Sequence, residues 1–147
     1  MHLIDFIWQY GVAAIATVVC GWAMSYGGRT ERFAATVILF FWMLTLIVQS
    51  QQGNGPGIWV KLIDITVLII FVGMSLKTRK LWTVFMAAFQ LDAVFGHAAA
   101  TLLHFGRYPA AVAVGLWGGH GLLYVLIAGT ISHRRSEKRR WAAVAPS

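Results

Sequence analysis

Long apolar segments alternate with short polar ones along the whole chain. A helix needs about 20 predominantly apolar residues to cross the hydrocarbon core of a bilayer, and five segments approach or exceed that length. The pattern predicts an all-α, polytopic membrane helix bundle. Five transmembrane helices form one domain, residues 1–131, and a basic cytoplasmic tail follows, residues 132–147. The predicted helices cover residues 6–26, 33–48, 58–76, 81–105 and 110–131.

Basic residues lie in short clusters between the apolar segments, and their distribution predicts how the chain is oriented. With five spans, the first connection, the third connection and the tail share one side, which then holds ten of the twelve Lys and Arg residues. Cytoplasmic loops carry such an excess of positive charge. We therefore expect the N-terminus outside and the C-terminus in the cytoplasm, with Lys61 and Arg107 as the two basic residues on the outer side.

The overall composition agrees with a membrane protein and not with a nucleic-acid-binding protein. Hydrophobic residues make up 59% of the chain and charged residues 12%, against about 25% charged residues in a typical soluble domain. A formal net charge of +7 would also attract nucleic acid, but the charges cluster at the predicted helix ends. The expected partners are the lipid bilayer and either other membrane protein subunits or a second copy of the chain, without nucleic acid.

The fourth predicted helix places polar side chains in the apolar stretch FQLDAVFGHAAATLLHF, residues 89–105. Residues seven apart share one face of a helix, so Gln90, His97 and His104 are predicted to form a polar stripe. Asp92 lies about 200° around the helix from Gln90 and points to nearly the opposite side. Since a carboxylate at the centre of a span costs about 2.5–3.5 kcal/mol on insertion scales, we expect this helix to have protein neighbours on both faces.

His120, on the fifth predicted helix, lies at nearly the same depth as His97. His97 is about ten residues before the GRYP turn and His120 about twelve after it, so their depths differ by about 3 Å. Ala111, Gly115 and Gly119 repeat every four residues and predict a small-residue ridge for helix packing. The same glycines would also leave room for a flat cofactor beside His120.

The third predicted helix adds Lys61 and Asp64, which are three residues apart and can pair on one helix face. Together with Asp92, they are the charged residues within the predicted spans. Asp64 is expected at a depth between those of His104 and His97, so the polar side chains collect in the outer half of the bundle. This asymmetry predicts a polar cavity that opens to the non-cytoplasmic side. Its predicted members are Gln9, Gln49, Lys61, Asp64, His97, Thr101, His104 and His120.

Three functions could use these polar groups. The first, which the small size of the chain favours, is an accessory, structural or small-ligand-binding subunit of a membrane complex. The second is electron transfer through a b-type haem held by His97 and His120, with Gln90 and His104 beside it. The third is a metal site or proton pathway, with His97, His104, His120 and Asp64 as metal ligands. The sequence carries no recognised catalytic motif, so we do not expect an enzyme acting on its own.

The stretch LWTVFMAAFQLDAVFGHAA, residues 81–99, contains the pattern W-x-x-x-x-A-x-F-Q-L…H. It resembles small multi-pass inner-membrane proteins of bacteria that carry this pattern on a late helix, after a basic turn. The resemblance is confined to this helix and brings no activity with it. It implies residence in a bacterial inner membrane and draws attention to Gln90 and His97. The matching residues are Trp82, Ala87, Phe89, Gln90, Leu91 and His97.

The five-span orientation places residue 54 outside the cell, and site-directed labelling tests this placement. We expect an Asn54→Cys variant in intact cells to react with a membrane-impermeant maleimide added to the outside. Labelling of position 54 from the cytoplasmic side, and not from the outside, would contradict the five-span arrangement.

Overall fold

A computed structural model of the chain describes residues 3–52, 57–102 and 114–144. Within these residues the protein is all-α and contains no strand, which confirms the all-α part of the prediction. The elements are α1 (Leu3–Tyr26), α2 (Arg29–Gln52), α3 (Ile58–Thr78), α4 (Leu81–Leu102), a π-helical segment (Val114–Gly121) and α5 (Leu122–Val144).

Two helices extend well beyond their apolar segments. Helix α2 begins at Arg29 and not at residue 33, and α5 continues through Val144, so most of the predicted tail is helical. The tail is rich in Arg, Lys and Glu, which are good helix formers. His133 and Glu137 also approach each other one turn apart, at 3.8 Å. Hydropathy therefore predicts only the apolar part of each helix. The helix continues into the polar residues on either side because of their helix propensity and side-chain pairing.

Short, well-defined turns connect the helices at one end of the bundle. After α1, the Gly27 amide donates to the Ala23 carbonyl at 2.8 Å, and α2 begins when the Arg32 amide donates to the Gly28 carbonyl at 3.0 Å. After α3, Arg79 adopts the left-handed conformation (φ 52°), and its amide donates to the Ser75 carbonyl at 2.9 Å. Both turns reverse the chain in two residues, so α1/α2 and α3/α4 are antiparallel hairpins, as the length of KTRK predicts.

The hairpins and α5 pack in a closed ring in which each helix contacts the next and α5 contacts α1. Helix α5 also contacts α2 across the middle of the bundle. Phe71, Met86 and Leu126 fill the core and are fully buried. Small side chains at the contact between α1 and α2 let the two helix backbones approach each other closely. The fully or almost fully buried small residues of α1 and α2 are Ala16, Cys20, Ala23, Ala34 and Ala35.

An ion pair joins the hairpins at the end of the bundle that carries most of the cations, here called the basic end. Glu31 is 1% exposed, and its Oε1 accepts a hydrogen bond from Lys80 Nζ at 2.9 Å. Its Oε2 has no hydrogen-bond partner in the described part of the chain. A carboxylate in the first turn of α2 is favoured by the helix dipole. The Lys80 side chain is 40% exposed, but its removal would leave the buried Glu31 carboxylate uncompensated, which is strongly destabilising. The pair therefore links α2 of the first hairpin to the α3–α4 turn of the second.

The exterior of the bundle is apolar. Large side chains project outward from every helix, among them Val18 (71% exposed), Phe40 (61%), Ile69 (67%) and Phe95 (63%). Outward-facing threonines turn their hydroxyls back to their own helix: Thr66 Oγ1, for example, donates to the Leu62 carbonyl at 2.8 Å. A hydroxyl satisfied within its helix needs no water, so this surface suits an apolar surrounding.

Two helical stretches among the described residues are long and apolar enough to cross a membrane. They are Arg29–Gln49 in α2, with a mean hydropathy of 1.8, and Ile58–Thr78 in α3, with a mean hydropathy of 2.1. Gly11–Tyr26 is apolar but shorter. These two helices support a membrane location.

Candidate functional site

A cavity of about 350 Å³ lies in the half of the bundle that is farther from the basic end. Its walls come from the second half of α2, the first half of α3, the second half of α4 and the π-helical segment. Most of the wall is apolar: Phe41 and Trp42 supply aromatic surface, and Val60 and Val67 supply aliphatic surface. Cavities that bind small molecules have this character, an apolar lining with a few placed polar groups.

Asp64 is the centre of the polar groups in the cavity wall. Its Oδ2 lies 2.9 Å from Nε2 of His97, and its Oδ1 accepts a hydrogen bond from the Gln90 amide at 3.1 Å. The Gln90 amide also donates to the Asp64 backbone carbonyl at 3.2 Å. Both carboxylate oxygens are thus engaged by α4, so this network, called here the Asp64 network, joins α3 to α4.

The Asp64 network is largely withdrawn from the surface. The His97 side chain is 10% exposed and that of Asp64 21%, while Gln90 is 3% exposed. Burial of a polar group is tolerated when it is hydrogen-bonded, and each of the three has such a contact. The Asp64 carboxylate accepts a hydrogen bond from Nε2 of His97. It thereby fixes the orientation of the imidazole, as the carboxylates beside catalytic and metal-binding histidines do.

His120 reaches the same cavity from the last turn of the π-helical segment. π-Helical stretches are rare and occur frequently at functional sites. Here the neighbouring glycines allow the segment to approach α4 closely. A Cβ at Gly118 would lie 2.6 Å from the Ala93 Cβ, and one at Gly121 would lie 2.9 Å from the Phe89 ring. The segment therefore packs directly on α4 while its adjacent residues Gly119 and His120 face the cavity.

The structure brings together several of the polar residues that were predicted from sequence to share a site. Gln49, Asp64, His97 and His120 line the cavity, and Gln90 joins them from the same α4 face as His97. Lys61 is half-buried and is not part of the cavity wall, and Asp92 is exposed on the other side of α4.

Other predicted site residues fall where the structure gives no description. His104 and Ala111 lie outside the described residues, and the side chains of Gln9 and Thr101 are also not described. The small-residue ridge of Ala111, Gly115 and Gly119 stays a prediction. Within the described range, Gly118 and Gly121 also make close contacts with α4.

Sequence reasoning missed the aromatic wall of the cavity and the contacts of Asp64 with α4. Phe41 and Trp42 lie in a continuous apolar run, where the lining of a cavity cannot be told from lipid-facing surface by pattern. The sequence indicated only that Asp64 can pair with Lys61 on its own helix, and that pairing stays a prediction, while the carboxylate meets His97 and Gln90 of α4. The seven-residue spacing of Gln90 and His97 could have indicated the partners of Asp64, because it places two hydrogen-bonding groups on one face of α4.

The geometry bears differently on the two cofactor hypotheses. His97 and His120 both line the cavity, but Nε2 of His97 faces Asp64 at 2.9 Å, so this nitrogen is directed to the carboxylate and not to a haem iron. For a metal ion, no group of three or more His, Cys, Asp or Glu side chains is suitably placed among the described residues. The wall thus offers one oriented imidazole–carboxylate pair within a mainly apolar cavity.

Comparison of the chain with protein-family models, with curated proteins and with solved structures finds no match.

A double-mutant cycle tests the Asp64 network. We expect Asp64→Ala and His97→Ala each to destabilise the protein, and the pair to show a coupling of about 1–2 kcal/mol in the free energy of unfolding. The measurement is unfolding in mixed detergent–lipid micelles followed by tryptophan fluorescence. The matched control is Asp92→Ala with His97→Ala, which should couple by less than about 0.5 kcal/mol because these side chains lie on different faces. Equal coupling in the two cycles would contradict a specific Asp64–His97 interaction.

Proposed function

We propose that this protein is a five-span membrane protein that binds a small, largely apolar molecule in the cavity beside the Asp64 network, as an accessory subunit of a membrane complex. The observation that carries the proposal is the juxtaposition of a buried, oriented His97–Asp64 pair with an apolar, aromatic-lined cavity of about 350 Å³. Binding pockets for small molecules have volumes of about 300–1,000 Å³ and orient their ligands with a few polar groups.

The distribution of charge and apolar surface supports the membrane placement. The two apolar helices, the outward-facing aliphatic and aromatic side chains and the internally bonded threonine hydroxyls all suit a hydrocarbon surrounding. The basic end holds the clusters that the positive-inside rule assigns to the cytoplasm. We therefore place the protein in a bacterial inner membrane with the basic end inside, so that the cavity lies in the outer half.

The ligand is expected to be mainly apolar with one polar group. Phe41, Trp42 and the valines of α3 offer stacking and dispersion contacts, whereas the Asp64 network and His120 offer hydrogen bonds. A carboxylate can accept more than one hydrogen bond, so a ligand with one hydrogen-bonding group can join the Asp64 network while the rest of it contacts the apolar wall.

Asp92 supports the role as a subunit. It lies halfway along α4 on an outward face that otherwise presents apolar residues such as Ala88, Leu91 and Phe95. A carboxylate at this depth costs about 2.5–3.5 kcal/mol if it faces lipid. A neighbouring transmembrane helix that presents a hydrogen-bond donor or a cation would remove this cost, and a second copy of the chain is the alternative neighbour.

Filling the cavity tests the ligand-binding proposal. A Cβ at Gly119 would make an ordinary contact, 3.5 Å from Trp42 Cη2, whereas one at Gly73 would meet open space on α3. We expect Gly119→Val to lower the amount of co-purifying small molecule at least about tenfold, a change of about 1.4 kcal/mol in binding. Gly73→Val, the matched control, should leave it unchanged. The measurement is mass spectrometry of molecules released from the detergent-purified protein.

Two further observations on the same sample decide between the hypotheses. His97→Ala and His120→Ala should each lower the amount of bound molecule per mole of purified protein. A dithionite-reduced absorption band typical of b-type haem would instead assign the cavity to haem. A colourless sample with no released molecule, or equal occupancy in Gly119→Val and Gly73→Val, would contradict the proposed function.

The proposed contact through Asp92 is tested by the size of the native complex. We expect Asp92→Leu to release the protein from a larger assembly extracted in mild detergent, because leucine cannot accept a hydrogen bond, whereas Asp92→Asn should retain part of it. Ala88→Leu, one turn away on the same face, controls for added bulk and should assemble normally. Native electrophoresis measures the assembly, and an identical size for all variants and the unmodified protein would contradict a partner at Asp92.

A further inference from the structure

A second cavity, of about 650 Å³, lies at the basic end, far from the Asp64 network. It is formed where the end of α1, the Gly27–Gly28 turn and the start of α2 meet the polar half of α5. We call it the basic pocket and define it by its four cations and two aromatic residues. These are Arg29, Arg32, Arg134, Lys138, Tyr26 and Trp141.

The basic pocket concentrates positive charge in a defined geometry. Its cations come from two separate helices, α2 and α5, and converge on one concave space. Glu137 is the acidic group of the wall, and it lies 3.8 Å from His133, one turn away on α5. Four cations thus face one carboxylate, so the pocket is expected to attract an anion.

Two internal contacts hold parts of this wall in place. The Arg32 Nε donates to the Gly27 carbonyl at 2.9 Å and anchors the turn. The guanidinium of Arg134 lies 4.9 Å from the centre of the Tyr26 ring, a cation–π contact that links α5 to the end of α1. Arg29 and Lys138 are exposed on either side. The wall therefore combines positioned groups with long side chains that can close on a ligand.

From this arrangement we infer that the basic pocket binds the phosphate of an anionic lipid headgroup in the inner leaflet. Arginine recognises phosphate through paired hydrogen bonds, and basic pockets between transmembrane helices on the cytoplasmic side bind anionic headgroups. The surroundings favour a lipid over a free phosphate. Apolar surface continues from the pocket along both helices: Ile131, one turn before Arg134 of α5, is 38% exposed, and Val18, two turns before Ser25 of α1, is 71% exposed. Acyl chains can therefore lie along both helices.

This inference rests on the proposed membrane placement and not on the ligand of the first cavity. The test is native mass spectrometry of the full-length protein in detergent, titrated separately with phosphatidylglycerol, with phosphatidylcholine and with inorganic phosphate. The pocket variant is Arg29→Gln/Arg134→Gln/Lys138→Gln. The control, Arg135→Gln/Arg139→Gln/Arg140→Gln, removes the same charge from exposed positions of α5 outside the pocket wall. Arg32 stays unchanged because it holds the turn.

We expect phosphatidylglycerol to bind the unmodified protein more tightly than phosphatidylcholine does. Each basic residue near an anionic headgroup contributes about fivefold in affinity, so the pocket variant should bind at least about thirtyfold more weakly. The control should change by less than about threefold. If the triple pocket variant fails to fold, Lys138→Gln should still lose about fivefold relative to Arg139→Gln.

Three outcomes would overturn the inference. Equal losses in the pocket and control variants would show diffuse attraction by the charged helix and no pocket. Equal binding of the two lipids would show that the headgroup charge is not recognised. Binding of inorganic phosphate that is lost in the pocket variant, without binding of phosphatidylglycerol, would assign the pocket to a soluble anion. None of these readouts involves the first cavity, so failure here is distinct from failure of the proposed ligand site.

Discussion

The contact between Asp64 and His97 constrains the structure more than any other single interaction. An acid that is withdrawn from the surface of a mainly apolar bundle must be satisfied by protein groups. Asp64 meets this requirement through Nε2 of His97 at 2.9 Å and the Gln90 amide at 3.1 Å, both on α4. A slip of one residue between α3 and α4 would leave all three groups buried and unsatisfied. The network therefore fixes the register of this hairpin and, with it, the shape of the cavity wall.

The Glu31–Lys80 pair, which joins the two hairpins, and the Asp64 network, which joins α3 to α4, contribute to the specificity of the fold more than to its stability. Hydrogen bonds between transmembrane helices contribute about 0.6 kcal/mol on average, and a buried ion pair barely recovers the cost of its desolvation. The Glu31–Lys80 pair at the basic end and the Asp64 network near the other end are nevertheless costly to break, since each would leave a buried charge. Together they define one arrangement among the many that apolar helices could adopt. Close packing at Ala34, Ala35 and Gly118 then stabilises that arrangement.

The sequence predicts the parts of this structure that depend on local pattern. Apolar length predicts the helices, the short KTRK connection predicts a hairpin, and the spacing of Gln90 and His97 predicts that they share a face. The parts that depend on tertiary contacts are not predictable in this way. Glu31 meets Lys80 across 49 positions, and no local pattern distinguishes that acid from any other at a helix start. The contacts of Asp64 with His97 and Gln90 likewise follow from packing that a single sequence does not reveal.

The π-helical segment determines the direction in which His120 points, which the sequence pattern left open. Depth depends on the number of residues from the preceding turn, and a short π stretch changes it little. The direction in which a side chain projects depends on the rotation per residue about the helix axis. This rotation is smaller in a π turn than in an α turn, so every later side chain points in a different direction. In an α-helix, the four-residue repeat would have put Gly115 and Gly119 on the packing face. In the wider turn Gly118 meets Ala93, while Gly119 lies beside Trp42 and His120 lines the cavity. The glycines therefore serve the site indirectly: they let the segment lie against α4 in a conformation in which His120 lines the cavity.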